Sequence, residues 1–295
     1  MRSASRAAAL LLASALWLAF VPAASAKLFD EYELSARARA HGGSYAGLSG
    51  DAAGVYYNPA GLVNLSGLDV QASLFEPWGA DFMQVNQIAI ARPAGRWGTF
   101  GIGYSDFKVR YQDVTLSVER TVTLAHGFTA MEDLSSSLSV GWALNLYNLD
   151  YPTPSVSGYD LGSETTFGLD LGVFTSLHER TTAGVYFTNV NNPEMGDPVA
   201  RDLPQGARGG VAYRPYDGVV TAFEIGKQLG EEIRYFGGME FQVAEPLALR
   251  FGAQSKPNLL NVGVGLHYAN LTLDVAYTHH PVLDPTLHYG LALRF

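Results

Sequence analysis

The ten residues Thr286-Leu287-His288-Tyr289-Gly290-Leu291-Ala292-Leu293-Arg294-Phe295 constrain the fold more than any other stretch of the chain. Leu287, Tyr289, Leu291, Leu293 and Phe295 alternate without a break against His288, Gly290, Ala292 and Arg294. Successive side chains of a strand point to opposite faces, so this segment has one oily face and one small or polar face. Terminal residues of soluble domains are more often polar and frayed. An oily face at this position must be covered by something other than water.

The opposite end carries an export signature. Arg2 and Arg6 precede the apolar run from Ala7 to Phe20, and Ala24-Ser25-Ala26 supplies a small-x-small cleavage site. That order is a cleaved secretory signal over residues 1–26. No later stretch is apolar for the ~18 residues that a helical membrane span requires. Hydrophobic residues make up 47% of the chain and charged ones 16%, yet the hydrophobic residues are dispersed in alternation. This is the composition of a wall that is wet on one side and oily on the other. The formal charge is −9, and loss of Arg2 and Arg6 takes it to −11. With no basic stripe, a nucleic-acid partner is excluded. With no cysteine, so are disulfides and thiol chemistry.

From about residue 68 the alternation recurs, with turn residues between the segments. Strands are predicted near 68–76, 83–92, 97–107, 119–128, 136–148, 163–176, 181–190, 205–214, 218–227, 233–243, 247–256, 260–269, 271–279 and 286–295, about fourteen in all. An even count returns the chain to the side where the barrel began. Tight connections such as Ala244-Glu245-Pro246 and Ala269-Asn270 alternate with longer ones at Tyr151 to Gly162 and Asn191 to Asp202. A soluble sandwich would also alternate, but its outward face would be polar. Here the continuous face is Leu, Val, Phe and Tyr. The fold class expected is therefore all-β, a transmembrane antiparallel barrel over residues 66–295.

The interrupted face should line the lumen. Its small residues include Gly101, Gly103, Gly141, Ala143, Gly172, Gly252, Gly263 and Gly290. Among them fall the acids Asp69, Asp170, Glu224, Glu240 and Asp274 and the bases Arg208, Arg234, Arg250 and Arg294. The nearly balanced signs point to paired charges rather than a ring of one sign. A hairpin turning about Glu245 would set Glu240 opposite Arg250, since each is five residues away. Aromatics near strand ends, including Tyr213, Tyr235, Tyr268, Tyr277 and Tyr289, suit interfacial girdles.

Residues 27–65 do not alternate. Their mixed polarity keeps them out of lipid, where their backbone groups would go unpaired, so they belong in the periplasm or inside the lumen. Asp51 could cap a short helix, and Asn58-Pro59-Ala60-Gly61 has turn chemistry.

The run from Ala38 to Gly61, with Gly42-Gly43, Asp51 and Asn58-Pro59-Ala60-Gly61, resembles the amino-terminal hatch of FadL-like outer-membrane proteins. The ending resembles the compact PorV/PorQ branch of that superfamily through Gly238-Met239-Glu240-Phe241, Leu247 to Gly252, Gly263 to Tyr268 and the last strand. Tyr289, Leu291, Leu293 and Phe295 also resemble the signal read by the barrel assembly machinery. The resemblance implies a fourteen-stranded barrel of the bacterial outer membrane, in contact with its lipid, with a hatch plugging the lumen. Hydrophobic small molecules would be the ligands of a FadL-like member. Secretion-system proteins would be the partners of a PorV/PorQ-like member in type IX secretion. The external loops are shorter than those of full-sized fatty-acid transporters, so no ligand residues carry over.

Two functions follow as expectations: passage or binding of small hydrophobic solutes by movement around Asn58-Pro59-Ala60, or a closed barrel whose loops hold protein partners. An enzyme is not expected. His279, His280, Asp284 and His288 cluster in sequence near the last outer loop, but they read as solvated loop residues rather than a metal or hydrolytic site. No Gly-rich phosphate loop links a strand to a helix, and no cofactor is expected.

Overall fold

A computed structural model describes residues 28–30, 32–112, 114–152, 162–196 and 200–295. The expected signal segment, most of the Tyr151 to Gly162 connection and part of the Asn191 to Asp202 connection lie outside the described residues.

Fourteen strands close into one antiparallel barrel. In chain order they are β1 (Asp69–Phe75), β2 (Met83–Pro93), β3 (Thr99–Tyr111), β4 (Val114–Glu132), β5 (Ser136–Asp150), β6 (Ser163–Leu177) and β7 (Thr181–Thr188). A small ribbon, β8 (Glu194–Met195) with β9 (Arg201–Asp202), sits in the following connection. The ring resumes with β10 (Gly206–Tyr213), β11 (Val219–Gln228), β12 (Arg234–Ala244), β13 (Leu247–Gln254), β14 (Leu259–Tyr268), β15 (Leu271–His279) and β16 (Thr286–Arg294). The seam closes where β1 pairs with β16, in a register that sets Asp69 against Arg294 and Phe75 against His288.

Alternation decides which face is which. On β14, Leu260, Val262, Val264 and Leu266 are exposed while Leu259, Asn261, Gly263 and Gly265 are buried. On β3, Phe100, Ile102 and Tyr104 point out and Gly101 and Gly103 point in. The outward face is apolar around the ring, as a lipid-facing band must be, and this disposes of the soluble sandwich. One end of the barrel carries the tight turns and the other the longer connections, and we call the latter the outer end.

The structure departs from the sequence reading at β4, which starts at Val114 rather than near residue 119. β3 to β6 run for 13 to 19 residues, whereas β1 and β13 to β16 run for seven to ten. About 9–11 tilted residues suffice to cross lipid. The long strands therefore rise past the apolar band, where no periodic oily face is required and the alternation signal fades.

The segment before β1 occupies the lumen. It contains helix α1 (Ala36–Ala40), helix α2 (Gly54–Tyr57) and a 3-10 turn over Pro59–Asn64. Val55 and Leu62 are fully buried against Ala89, Ala91, Ala125 and Ala143 of the wall. Burying such a side chain contributes roughly 1.5–3 kcal/mol. Tyr45, Ala53 and Tyr57 form a second cluster with Ala212. The protein's core is thus the contact between hatch and wall.

Candidate functional site

The hatch is placed by short sequence signals. Ser35 caps α1 with its side chain accepting from the Ala38 N–H at 3.5 Å, and α1 packs on β13 to β16. The chain then turns at Gly42 (φ 67°) and Gly43 (φ 87°), in the left-handed region that favours glycine. Gly42 is doubly constrained, because a Cβ there would also lie 2.6 Å from Ala253 N and 2.7 Å from Gly237 O. Asn58 caps the 3-10 turn by accepting from Ala60 N at 3.2 Å, and Pro59 occupies its first position. The Asn58 side chain also donates to Val173 O of β6 at 3.0 Å and to Ala46 O at 3.2 Å. Gly61 N donates to Asn58 O at 3.0 Å, closing the turn. Ala60 lies so close to β5 that a Cβ on Gly141 would collide with its backbone nitrogen.

Lumen charges meet across strands and reach into the hatch. Arg250, opposite Glu240, donates to it from Nε at 2.5 Å and to Asp274 from Nη1 at 2.5 Å. Arg37 of α1 takes the same Glu240 with Nε and Nη2, both at 3.3 Å, and also reaches Asp51 at 3.3 Å. Arg294 bonds Asp69 at 3.2 Å and lies 3.9 Å from Asp51. Arg208 joins Glu224 at 2.6 Å and Glu33 at 3.1 Å, while Glu224 accepts the backbone N–H groups of Tyr45 (2.9 Å) and Ala46 (2.7 Å). Asp170 accepts from Tyr186 OH at 2.5 Å, Asn145 Nδ2 at 2.7 Å and Asn189 N at 2.7 Å. Arg234 lies over the Phe236 ring at 5.6 Å. His41 is fully buried, with Nδ1 3.0 Å from Arg37 O and Nε2 3.9 Å from Glu240. Loss of hydration pushes its pKa down to about 4, against the pull of Glu240 and with the push of Arg37 and Arg250.

Two sequence expectations need correction. Asp51 does not cap a helix: it accepts from Ala53 N at 3.2 Å, before α2 begins, and serves as the shared anion for Arg37 and Tyr45 OH (2.5 Å). His288 is not a loop residue. The alternation of β16 turns it into the lumen, where it is fully buried and stacked on Phe75 at 3.9 Å, away from His279 and His280. No group of three metal-binding side chains occurs among the described residues. Sequence reading also gave no role to Arg37 or Glu33. The signal for Arg37 was charge embedded in a run of small residues that cannot face lipid, and Glu33 had no comparable signal.

Tyr289, Leu291 and Phe295 lie on the outward face of the last strand, which closes the seam. Leu293 shares the outward parity of Tyr289 and Leu291 but is half-buried.

Two cavities open toward the outer end and share only Asp30 and Tyr32 in their linings. The first, about 160 Å³, lies between the hatch and the outer halves of β2 to β7. Its lining mixes aromatic side chains, Phe29 on Tyr147 at 4.9 Å and Tyr32 on Phe107 at 5.3 Å among them, with polar and charged ones such as Asp106, Glu119 and Asp170. Burial, with Asp30 and Glu119 nearby, pushes the Tyr32 hydroxyl up to about 12 and keeps it neutral. The second, about 180 Å³, is bounded by α1, β1, the outer ends of β13 to β16 and the connections at Pro77 and Lys256.

No family model matches the chain, and no curated protein does. Solved structures do. The Pseudomonas putida toluene transporter TodX superimposes with a TM-score of 0.61 at 12% identity, over 91% of this chain and 99% of that one. The fold is that of the TodX channel. A Pseudomonas aeruginosa FadL homologue gives 0.57 at 10% identity, over 88% of this chain and 95% of the other. The Acinetobacter baumannii outer membrane protein Omp33 gives 0.51 at 8% identity, over 78% and 98%.

Proposed function

We propose that this protein is an outer-membrane barrel whose hatch-plugged lumen binds and admits small hydrophobic solutes. The observation that carries the reading is the aromatic cavity held between Phe29, Tyr56 and the wall at the outer end. A hole of ~150 Å³ accepts a molecule the size of benzene, and here the aromatic rings face a wall that also carries Asp106, Glu119, Asp170 and Arg208. The fold shared with a toluene transporter supports the same ligand class. Entry would fill the cavity from outside, and release inward would require the hatch to part from the wall. The expected signal segment and the apolar band agree with residence in the bacterial outer membrane.

Saturable binding of toluene by the detergent-solubilised protein tests this reading. Ser105→Trp, which fills the cavity, should abolish it, and binding that survives the substitution would overturn the assignment. In liposomes the intact barrel should leak little and removal of residues 27–65 should raise the leak. Equal leak from both would discard the plug.

A second reading, a permanently shut PorV/PorQ-like barrel with protein partners in type IX secretion, is favoured by the ion pairs Arg37–Glu240, Glu33–Arg208 and Asp51–Arg294 that fasten the hatch to the wall. Under it, the barrel co-purifies with an intact polypeptide and binds no toluene.

A further inference from the structure

We propose that the second cavity is a separate binding site for a small aromatic monocarboxylate. The argument starts from arginines. Arg37, Arg208 and Arg250 each hold at least one carboxylate in the lumen. Arg39 is equally buried, at 7% exposure, and lines this cavity. Yet among the described residues no carboxylate lies within ion-pair distance of it. Its guanidinium makes one hydrogen bond, a long one from Nη1 to Gln254 Oε1 at 3.4 Å, and its Nε has no partner. A buried guanidinium without a counter-ion costs several kcal/mol unless a ligand supplies the charge.

His288, on β16 of the barrel wall, adds an independent observation in the same cavity. It is fully buried, lines the cavity, and neither ring nitrogen has a hydrogen-bond partner. A neutral imidazole carries one N–H, so the ring brings an unused donor. Its face stacks on Phe75 at 3.9 Å, and Trp78 and Leu259 complete an apolar lining. Two unmatched donors beside an aromatic surface suit a carboxylate attached to a ring.

The other charges around the cavity fix the ligand's valence. Lys256 is engaged by Glu232, Glu33 is held by Arg208, and Asp30, Glu231 and Arg234 have partners of their own. The second oxygen of Glu33 has no partner and adds negative potential. With Arg234 and Lys256 engaged elsewhere, the Arg39 guanidinium facing that acidic rim matches a single negative charge and disfavours a dianion. The volume, about 180 Å³, is close to the benzene-sized cavity cited above with room for a carboxylate. This cavity shares only Asp30 and Tyr32 with the aromatic cavity, and the proposal does not rest on the transport reading.

Benzoate titrated into the full-length solubilised protein should bind saturably, followed by ligand-observed NMR. Arg39→Gln should weaken binding at least ten-fold, with Arg39→Lys partly restoring it. Trp78→Ala, in a connection outside the barrel wall, should weaken it several-fold. Benzylamine, with the opposite charge, should not bind, and toluene should not displace benzoate. The proposal is overturned by an absence of saturable benzoate binding, by an unchanged affinity in Arg39→Gln, or by benzylamine binding equally well. Displacement by toluene would merge the two cavities and overturn the separate site. Toluene binding and liposome leak are read independently, so failure here leaves the transport reading standing.

Discussion

The hatch meets two walls, and they hold it by different physics. Toward β2 to β6 the contact is packing: Val55 and Leu62 fill a cluster of alanines, and Ala60 rests on the bare backbone of Gly141. Among the described residues no ion pair joins the hatch to those strands. Toward β10 to β16 and β1 charge is added to packing: Tyr45 and Tyr57 pack with Ala212, while Arg37 bonds Glu240, Glu33 bonds Arg208 and Asp51 lies beside Arg294. Packed contacts tolerate pH and salt but not added volume. Charged contacts in a confined lumen tolerate neither the loss of a partner nor a change of protonation. The hatch therefore has one side fixed by shape and one side addressable by solution conditions.

The largest expected effect comes from Arg250→Ala, which strips Glu240 and Asp274 of their shared cation. Removing one member of a buried network costs about 3–5 kcal/mol. Hydrogen exchange should rise over residues 36–47 and much less over 59–64. Gly141→Val should do the reverse, loosening 59–64 first, at about 1–3 kcal/mol of overpacking. If either variant loosens the whole hatch uniformly, the distinction between the walls is lost.

Acidification is the third test. His41, held near 4 when docked against about 6.5 when free, takes up a proton on release. Docking is thus fully stabilised above pH 6.5 and weakens as pH falls from about 6.5 to about 4, by about 2 kcal/mol at pH 5. The groups facing the ring are Glu240, Arg37, Arg250 and Tyr45. Exchange over 36–47 should accelerate between pH 7 and 5, and His41→Gln should flatten that dependence. The smallest effect is expected from Tyr56→Phe, which deletes a hydroxyl within 2.6 Å of Ile88 O and 3.0 Å of Tyr104 O. About 1 kcal/mol is at stake. A difference above 2 kcal/mol in chemical unfolding would mean that polar contacts matter on the packed wall too.

The strands could be read from sequence because a lipid-facing wall writes a period of two, as in Val262, Val264 and Leu266 against Gly263 and Gly265. The Glu240 and Arg250 pair was legible too, since one tight turn fixes the register of its hairpin. What stayed hidden needed contacts far apart in the chain. Arg37 lies 203 residues from Glu240, and nothing local announces their bond. His288 shows the opposite failure. Its position in an alternating strand already turned it inward, but proximity in sequence to His279 and His280 suggested a loop cluster. The aromatic cavity draws on residues from the hatch and from strands β2 to β7, so no single segment carries its signature.

Arg294 reaches an acid on the first strand and lies beside another on the hatch. The side chain that zips the ring shut is thus also a latch on its stopper. A barrel closed without its amino-terminal segment in place would leave Arg294 with Asp69 and without Asp51, so one side chain answers to both the seam and the hatch.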